Sequence, residues 1–165
     1  MRLTLPQLKN TTPSKLRLHG NNWEPGLSQI VGRPIPGDFN PDEISWVRPC
    51  IGITDWEGAC EAIALRHYVI TVAPEISIGS DIVIGLEPYD RSFMSALGKV
   101  SDTIDEIVNN TGKSVVVHCA MGMERSVLAV VWFMASKWRM QLHQALKHVQ
   151  TKRPIALNRL DWISL

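Results

Sequence analysis

Apolar residues recur along this chain with two periods, and the second half shows them most clearly. Phe93, Leu97, Val100, Ile104 and Ile107, with Val108, return every three or four positions. That spacing lays one apolar stripe along a helix. It predicts a helix that starts at Asp90 or Ser92, either of which can cap it, and runs to about Asn110. Asn109-Asn110-Thr111-Gly112 is the stop signal. Ser114 to His118 then reads Ser-Val-Val-Val-His, a short apolar strand of the kind buried in the middle of a sheet. Residues 119 to 125 form a loop. A strongly apolar helix opens at Arg125 or Ser126 and runs to about Trp138. A last amphipathic helix carries Leu142, Ala145, Leu146 and Val149 and ends before Pro154. A short segment after Asn158 closes the chain.

The first half is less regular. Pro6, Pro13, Gly20, Pro25, Gly26, Pro34, Pro36 and Gly37 punctuate residues 1 to 40. This predicts an irregular arm with at most short strands, such as Ser28 to Gly32. Asp42 to Val47 reads as a short helical turn after Pro41. Pro49 to Thr54 reads as a strand, and Trp56 to His67 as a helix with Ala59, Ala62, Ile63 and Arg66 at helical spacing. His67 to Ala73 and Ile82 to Leu86 are two further strands, the second ended by Glu87-Pro88. Strands and helices alternate. The predicted fold is therefore α/β: a central, mostly parallel sheet of about four to five strands flanked by helices. Residues 1–40 form an arm packed on the domain, and residues 41–165 form the domain itself.

Composition narrows the function. With 165 residues, 45% hydrophobic and 20% charged, the chain suits one globular domain with a real core. A net charge of +1 gives no basic face for nucleic acid or a membrane surface. The longest apolar run, Val127 to Ala135, is about half of a bilayer span. The N-terminus lacks the apolar stretch of a signal peptide. The expectation is a soluble, cytoplasmic monomer. Its three cysteines, Cys50, Cys60 and Cys119, form no Cys-x-x-Cys pair, which argues against a disulfide framework or a zinc ribbon. No His/Cys/Asp set has metal spacing, and no cofactor is implied.

The candidate chemistry lies in one loop, His118-Cys119-Ala120-Met121-Gly122-Met123-Glu124-Arg125-Ser126. Five residues separate Cys119 from Arg125. The chain can curl over that length so that the backbone N–H groups of Ala120, Met121, Gly122, Met123, Glu124 and Arg125, with the helix N-terminus, cradle an anion. Gly122 permits a backbone conformation that a side chain forbids. Arg125 offers a planar fork for two phosphate oxygens. An arginine in a helix's first turn opposes the dipole, so its position makes better sense with an anion bound. The same positive field favours ionisation of the Cys119 thiol, the form that attacks. The Ser126 hydroxyl could hydrogen-bond the sulfur and help it leave in a second step. His118 adjoins the cysteine but should face away from it, because strand neighbours alternate. It reads as an orienting residue.

A strand ending in His-Cys, then five residues, then Arg-Ser resembles the active-site pattern of the protein tyrosine phosphatase superfamily, and the short chain resembles its dual-specificity branch. Lys152-Arg153-Pro154 and Asn158 are similar to that family's closing segment. The resemblance covers about Leu86 to Trp162. It implies a cysteinyl-phosphate intermediate, a phosphorylated protein substrate (on Tyr and also on Ser or Thr) and an acid that protonates the leaving oxygen. Asp90 resembles that acid, with Glu87 and Asp81 as substitutes; read as local structure alone, Asp90 is a helix cap. Met121 and Glu124 depart from the family's usual residues, and Glu124 brings a negative charge beside the cradle. Trp56 or Tyr89 are candidates for the substrate mouth. A disulfide from Cys50 or Cys60 to Cys119 would be an oxidative brake. Two alternatives stay open: the same chemistry on an RNA 5′-end, a phosphoinositide or a small metabolite, and a phosphate-binding or sulfur-transfer domain.

Overall fold

The structure, a computed structural model, describes residues 24–163. Most of the predicted arm, residues 1–23, lies outside the described residues. The elements run in this order: α1 (Glu24–Val31), β1 (Ser45–Arg48), β2 (Ile51–Thr54), α2 (Trp56–Ala64), β3 (Tyr68–Thr71), β4 (Ile82–Val83), α3 (Phe93–Glu106), a π-helical turn (Ile107–Thr111), β5 (Val115–His118), α4 (Arg125–Trp138), α5 (Leu142–Lys152) and a 3₁₀ turn (Leu160–Trp162).

The five strands form one sheet in the order β1-β2-β5-β3-β4. β2, β5, β3 and β4 pair in parallel, and β1 joins β2 antiparallel. The apolar Val-Val-Val run thus takes the central place, and all four residues of β5 are buried. Its two faces pack differently, as the period of two requires. Val115, Val117, Ile51, Ile53 and Ile70 share a core with Leu97, Val100 and Ile104 of α3 and the apolar side of α4. Val116 and Val69 pack on Ala59 and Ala62 of α2. Helices therefore cover both faces, and the parallel ladder aligns Thr54, His118 and Thr71 in one row at the carboxyl edge. Ligands bind at that edge in open α/β sheets.

The α3 stripe forms as spaced: Phe93, Leu97, Val100, Ile104 and Ile107 are all buried. The segment closes through a π turn and Gly112, which adopts φ +68°. Two first-half readings are corrected. Ser28 to Gly32 belongs to the end of helix α1, not to a strand. Leu27 and Val31, one helical turn apart, both meet the cluster of Ile35, Ile155 and Leu157, whereas Ile30 is exposed; a strand could not put positions four apart and only those on one side. The helical turn at Asp42 to Val47 shrinks to a bond from Glu43 N–H to the Asn40 carbonyl. From Ser45 the chain is extended, because pairing with β2 buries Ser45 and Val47. Among the described residues no helix is long and apolar enough to cross a membrane.

Candidate active site

Residues 119–124 link the central strand to α4, and their carbonyls define the site. The Cys119 carbonyl faces His118 Nδ1 at 3.0 Å. Ala120 O accepts from Trp56 N–H at 3.2 Å. Met121 O and Gly122 O accept from Arg153, at 3.1 and 2.6 Å. Met123 O accepts from Leu157 N–H at 2.8 Å. Five successive carbonyls are bound on the outside of the loop. In a trans peptide the N–H points opposite to the C=O, so the amides of residues 120–124 turn inward. Gly122 makes the curl possible. Its φ is +66°, and a Cβ there would lie 2.5 Å from Arg153 Nη2 and 2.6 Å from the Thr54 carbonyl oxygen.

Cys119 sits at the floor of this bowl, 4% exposed, with Sγ 3.1 Å from Ser126 Oγ. It packs with the core that holds Val115 and Val117. His118 turns to the other side. A carbonyl only accepts, so Nδ1 carries the proton toward Cys119 O, and Nε2 accepts from Thr71 Oγ1 at 2.7 Å. Burial lowers the His118 pKa to about 4, the Arg125 charge adding to the effect and the bond to Cys119 O opposing it. His118 is therefore a neutral, fully bonded strut at neutral pH.

Arg125 is met by Glu75, which lies in the loop after β3. Nη1 donates to Glu75 Oε2 at 3.0 Å, and Nη2 donates to Oε1. This bond takes one edge of the guanidinium and leaves the Nε–H edge for an oxyanion. Burial opposes the Arg125 charge, but the hydrogen bonds and charge of Glu75 raise its pKa above the ordinary value. Burial likewise pushes the Glu75 carboxyl up, and Arg125 brings it below the usual range. Glu124 does not enter the bowl. Its Oε2 accepts from Arg159 Nε at 2.9 Å, and the Arg159 guanidinium lies over the Trp162 ring, 5.4 Å from its centroid. Trp162 walls a depression of about 120 Å³ above Cys119, Ala120, Met121 and Arg125.

The predicted acids are dispersed. Asp90 is exposed, and its Oδ2 accepts from the Ser92 N–H at 2.9 Å and from the Ser92 hydroxyl. Those bonds hold its carboxyl below the usual range. Glu87 is exposed, and its charge reaches Arg125. Asp81 lines a separate cavity with Arg66 and Lys113. Trp56, a candidate for the mouth, is buried at 2% in the core cluster that includes Cys119, and Trp162 lines the depression instead. Cys50, Cys60 and Cys119 carry thiols with no disulfide. Cys50 O accepts from Val115 N–H, four residues before Cys119 on β5. At ~3.3 Å per residue this places Cys50 roughly 13 Å from Cys119, beyond disulfide reach. No group of three metal-ligating side chains exists among the described residues.

Sequence reasoning missed Glu75 and the reach of Arg153. Arg153 is fully buried and its guanidinium also donates to Pro41 O at 2.9 Å and Ser45 Oγ at 2.9 Å. Both contacts span 108 or more residues, so no local pattern carries them.

A cysteine at the floor of a curled loop, closed by an arginine at a helix start on a parallel sheet, defines the class: an α/β domain with a Cys-x5-Arg loop between its central strand and a helix. The chain belongs to the dual-specificity phosphatase family, whose catalytic-domain model matches residues 80–164. It is 51% identical over 75 residues to dual specificity protein phosphatase 1 of Arabidopsis thaliana, covering 46% of this chain and 37% of that protein. It is 43% identical over 51 residues to human protein phosphatase Slingshot homolog 3, covering 31% of this chain and 8% of that one. The matched stretches thus span well under two thirds of these relatives. The fold is similar to that of human DUSP28, with a TM-score of 0.62 at 15% identity over 75% of this chain and 89% of that chain. It is similar also to a leucine rich repeat and phosphatase domain containing protein from Entamoeba histolytica, with a TM-score of 0.63 at 12% identity over 74% and 86% of the two chains.

Proposed function

We propose that this chain is a phosphomonoesterase acting on phosphorylated protein, on Tyr and also on Ser or Thr. The observation that carries the reading is the outward bonding of five consecutive loop carbonyls around Cys119, from residue 119 to residue 123. It turns the amides of residues 120–124 toward the bowl, where the oxygens of a ligand can accept from them. Such preorganised donors stabilise charge on a transferring group at no reorganisation cost.

The chemistry follows from the groups present. The Cys119 sulfur attacks phosphorus, and the bond to the leaving oxygen breaks. The Nε–H edge of Arg125 and the inward amides hold the equatorial oxygens. Asp90 gives its proton to the leaving oxygen, a contribution of about 10²–10⁴-fold. It must first exchange its bonds to Ser92 for that proton. Water then cleaves the cysteinyl-phosphate. Asp90 takes a proton from the water, and the Ser126 hydroxyl, 3.1 Å from Sγ, hydrogen-bonds the departing thiolate.

Hydrolysis of p-nitrophenyl phosphate and of phosphopeptides tests this. Cys119→Ser is expected to abolish turnover of both; substantial residual turnover would sink the mechanism. Asp90→Asn is expected to lower kcat by about 10²-fold on phosphopeptides. If Glu87→Gln does so in its place, the proton comes from Glu87.

A further inference from the structure

The chain before the first strand reaches the back of the oxyanion loop. Leu27 of α1 and Ile35 beyond it share one buried cluster with Met123, Ile155 and Leu157, and Met121 packs against it. Both methionines belong to the loop and flank Gly122. The Arg33 guanidinium donates to the carbonyls of Pro154 and Ala156, at 2.7 Å each. The next residue, Leu157, gives its N–H to the Met123 carbonyl at 2.8 Å. Further along, Phe39 lies 5.7 Å from the Arg153 guanidinium, the group that holds Met121 O and Gly122 O. Three of the five outward carbonyls are thus held by groups that the arm itself grips. The described arm residues precede the matched region 80–164 entirely.

We propose that Leu27 and Arg33 are positioning residues for the oxyanion loop. Arg33 fixes the 154–157 segment, and that segment holds the Met123 carbonyl, so the Glu124 N–H of the same peptide faces the bowl. Leu27 completes the apolar cluster that buries the Met123 side chain, so the backbone at residues 122–124 keeps its inward amides. Inward amides set like-oriented dipoles side by side, so the empty curl depends on the bonds and packing that hold its outer side. The arm holds the loop in its binding form before the anion is present, which is what preorganisation requires.

The inference rests on the phosphatase reading for its functional meaning, but its test does not. Tungstate, an oxyanion that cannot be turned over, is titrated calorimetrically into the full chain and into Arg33→Ala, Arg33→Lys, Leu27→Ala and Leu27→Met, well below their melting temperatures. Arg33→Ala and Leu27→Ala are expected to weaken tungstate binding about tenfold and to lower kcat on p-nitrophenyl phosphate by a similar factor, the displacement of a binding group by a fraction of an ångström being enough. Leu27→Met, which conserves volume, should restore both. Ile30→Ser, on the exposed side of the same helix, should change neither. A lower melting temperature with unchanged tungstate affinity in Arg33→Ala and Leu27→Ala would mean that the arm is merely structural, and would overturn the proposal. If the full chain binds tungstate, loses that binding in these variants and yet cleaves no phosphoester, the positioning role stands and the phosphatase reading fails.

Discussion

Arg125 carries five N–H donors, and Glu75 takes two of them. The pair costs the site something, because a carboxylate near the bowl repels a phosphate dianion. It also removes freedom from a long side chain that would otherwise sample many rotamers. The two effects oppose each other in ground-state binding, and the second alone serves the aim of the guanidinium. Glu75→Gln is therefore expected to lower kcat on p-nitrophenyl phosphate by about tenfold, roughly 1.4 kcal/mol, while KM changes less than twofold. Steady-state kinetics reads both, and a fall in KM with kcat intact would mean that Glu75 only inhibits. Glu124 raises a similar concern in the sequence, and its neighbour across the loop answers it. Arg159 takes its charge outside the bowl, so the departure from the usual residue need not weaken anion binding. Nothing local links position 124 to position 159.

At the scale of elements, the strand–loop–helix unit is the part most legible in sequence. The Val-Val-Val run demands a buried strand, the apolar stretch after Arg125 demands a helix, and the connection is too short for anything but a tight curl. Gly122 is its hinge. An alanine there would hold φ near +66° at a cost of about 1–2 kcal/mol, and its Cβ would displace Arg153 or the Thr54 carbonyl. Gly122→Ala is expected to lose at least about 2 kcal/mol in urea unfolding and about 10²-fold in kcat/KM. A variant as stable and as active as the parent would show that the curl does not depend on this residue. The arm was the least legible element. Leu27 and Val31 have helical spacing, but the proline and glycine around them mask it. Only the apolar surface of Ile155 and Leu157, brought there by the end of the chain, gives α1 something to bury against.

At the scale of the whole molecule, two buried titratable groups flank the loop and respond to pH in opposite senses. Asp55 caps α2, its Oδ1 accepting from Gly58 N–H at 2.9 Å, while its Oδ2 is buried with no partner among the described residues. Burial raises its pKa to about 7, against the opposing pull of the Gly58 bond and the Arg153 charge. A raised acid contributes stability that is full below the unfolded pKa and is lost as pH climbs from about 4 to about 7. His118, lowered to about 4, does the reverse. Its contribution is full above the unfolded value near 6.5 and is lost as pH falls toward 4. Between these limits the two slopes largely cancel, so the native protein should show a nearly flat stability from pH 5 to 6.5. Asp55→Asn keeps the cap and removes one slope. Its unfolding free energy is expected to rise with pH over that window, by up to about 1.4 kcal/mol per unit. It should also gain about 2–3 kcal/mol on the native chain between pH 5 and pH 8. Equal pH profiles for the two proteins in urea titrations would contradict the burial of an ionisable Asp55.

The sequence alone determined the alternation of strands and helices, the central place of the apolar strand, and the Cys-x5-Arg loop. These depend on contacts within a few residues, or on a period of two or 3.6 that a single segment displays. Tertiary structure decided which groups hold that loop from outside: Arg153, Leu157 and Trp56 on its carbonyls, Glu75 on Arg125, Arg159 on Glu124, and the arm behind them. Each of those partners lies 30 or more residues from what it touches, and a hydrogen bond or a packed face leaves no trace in the spacing of residues until the chain has folded to bring its ends together.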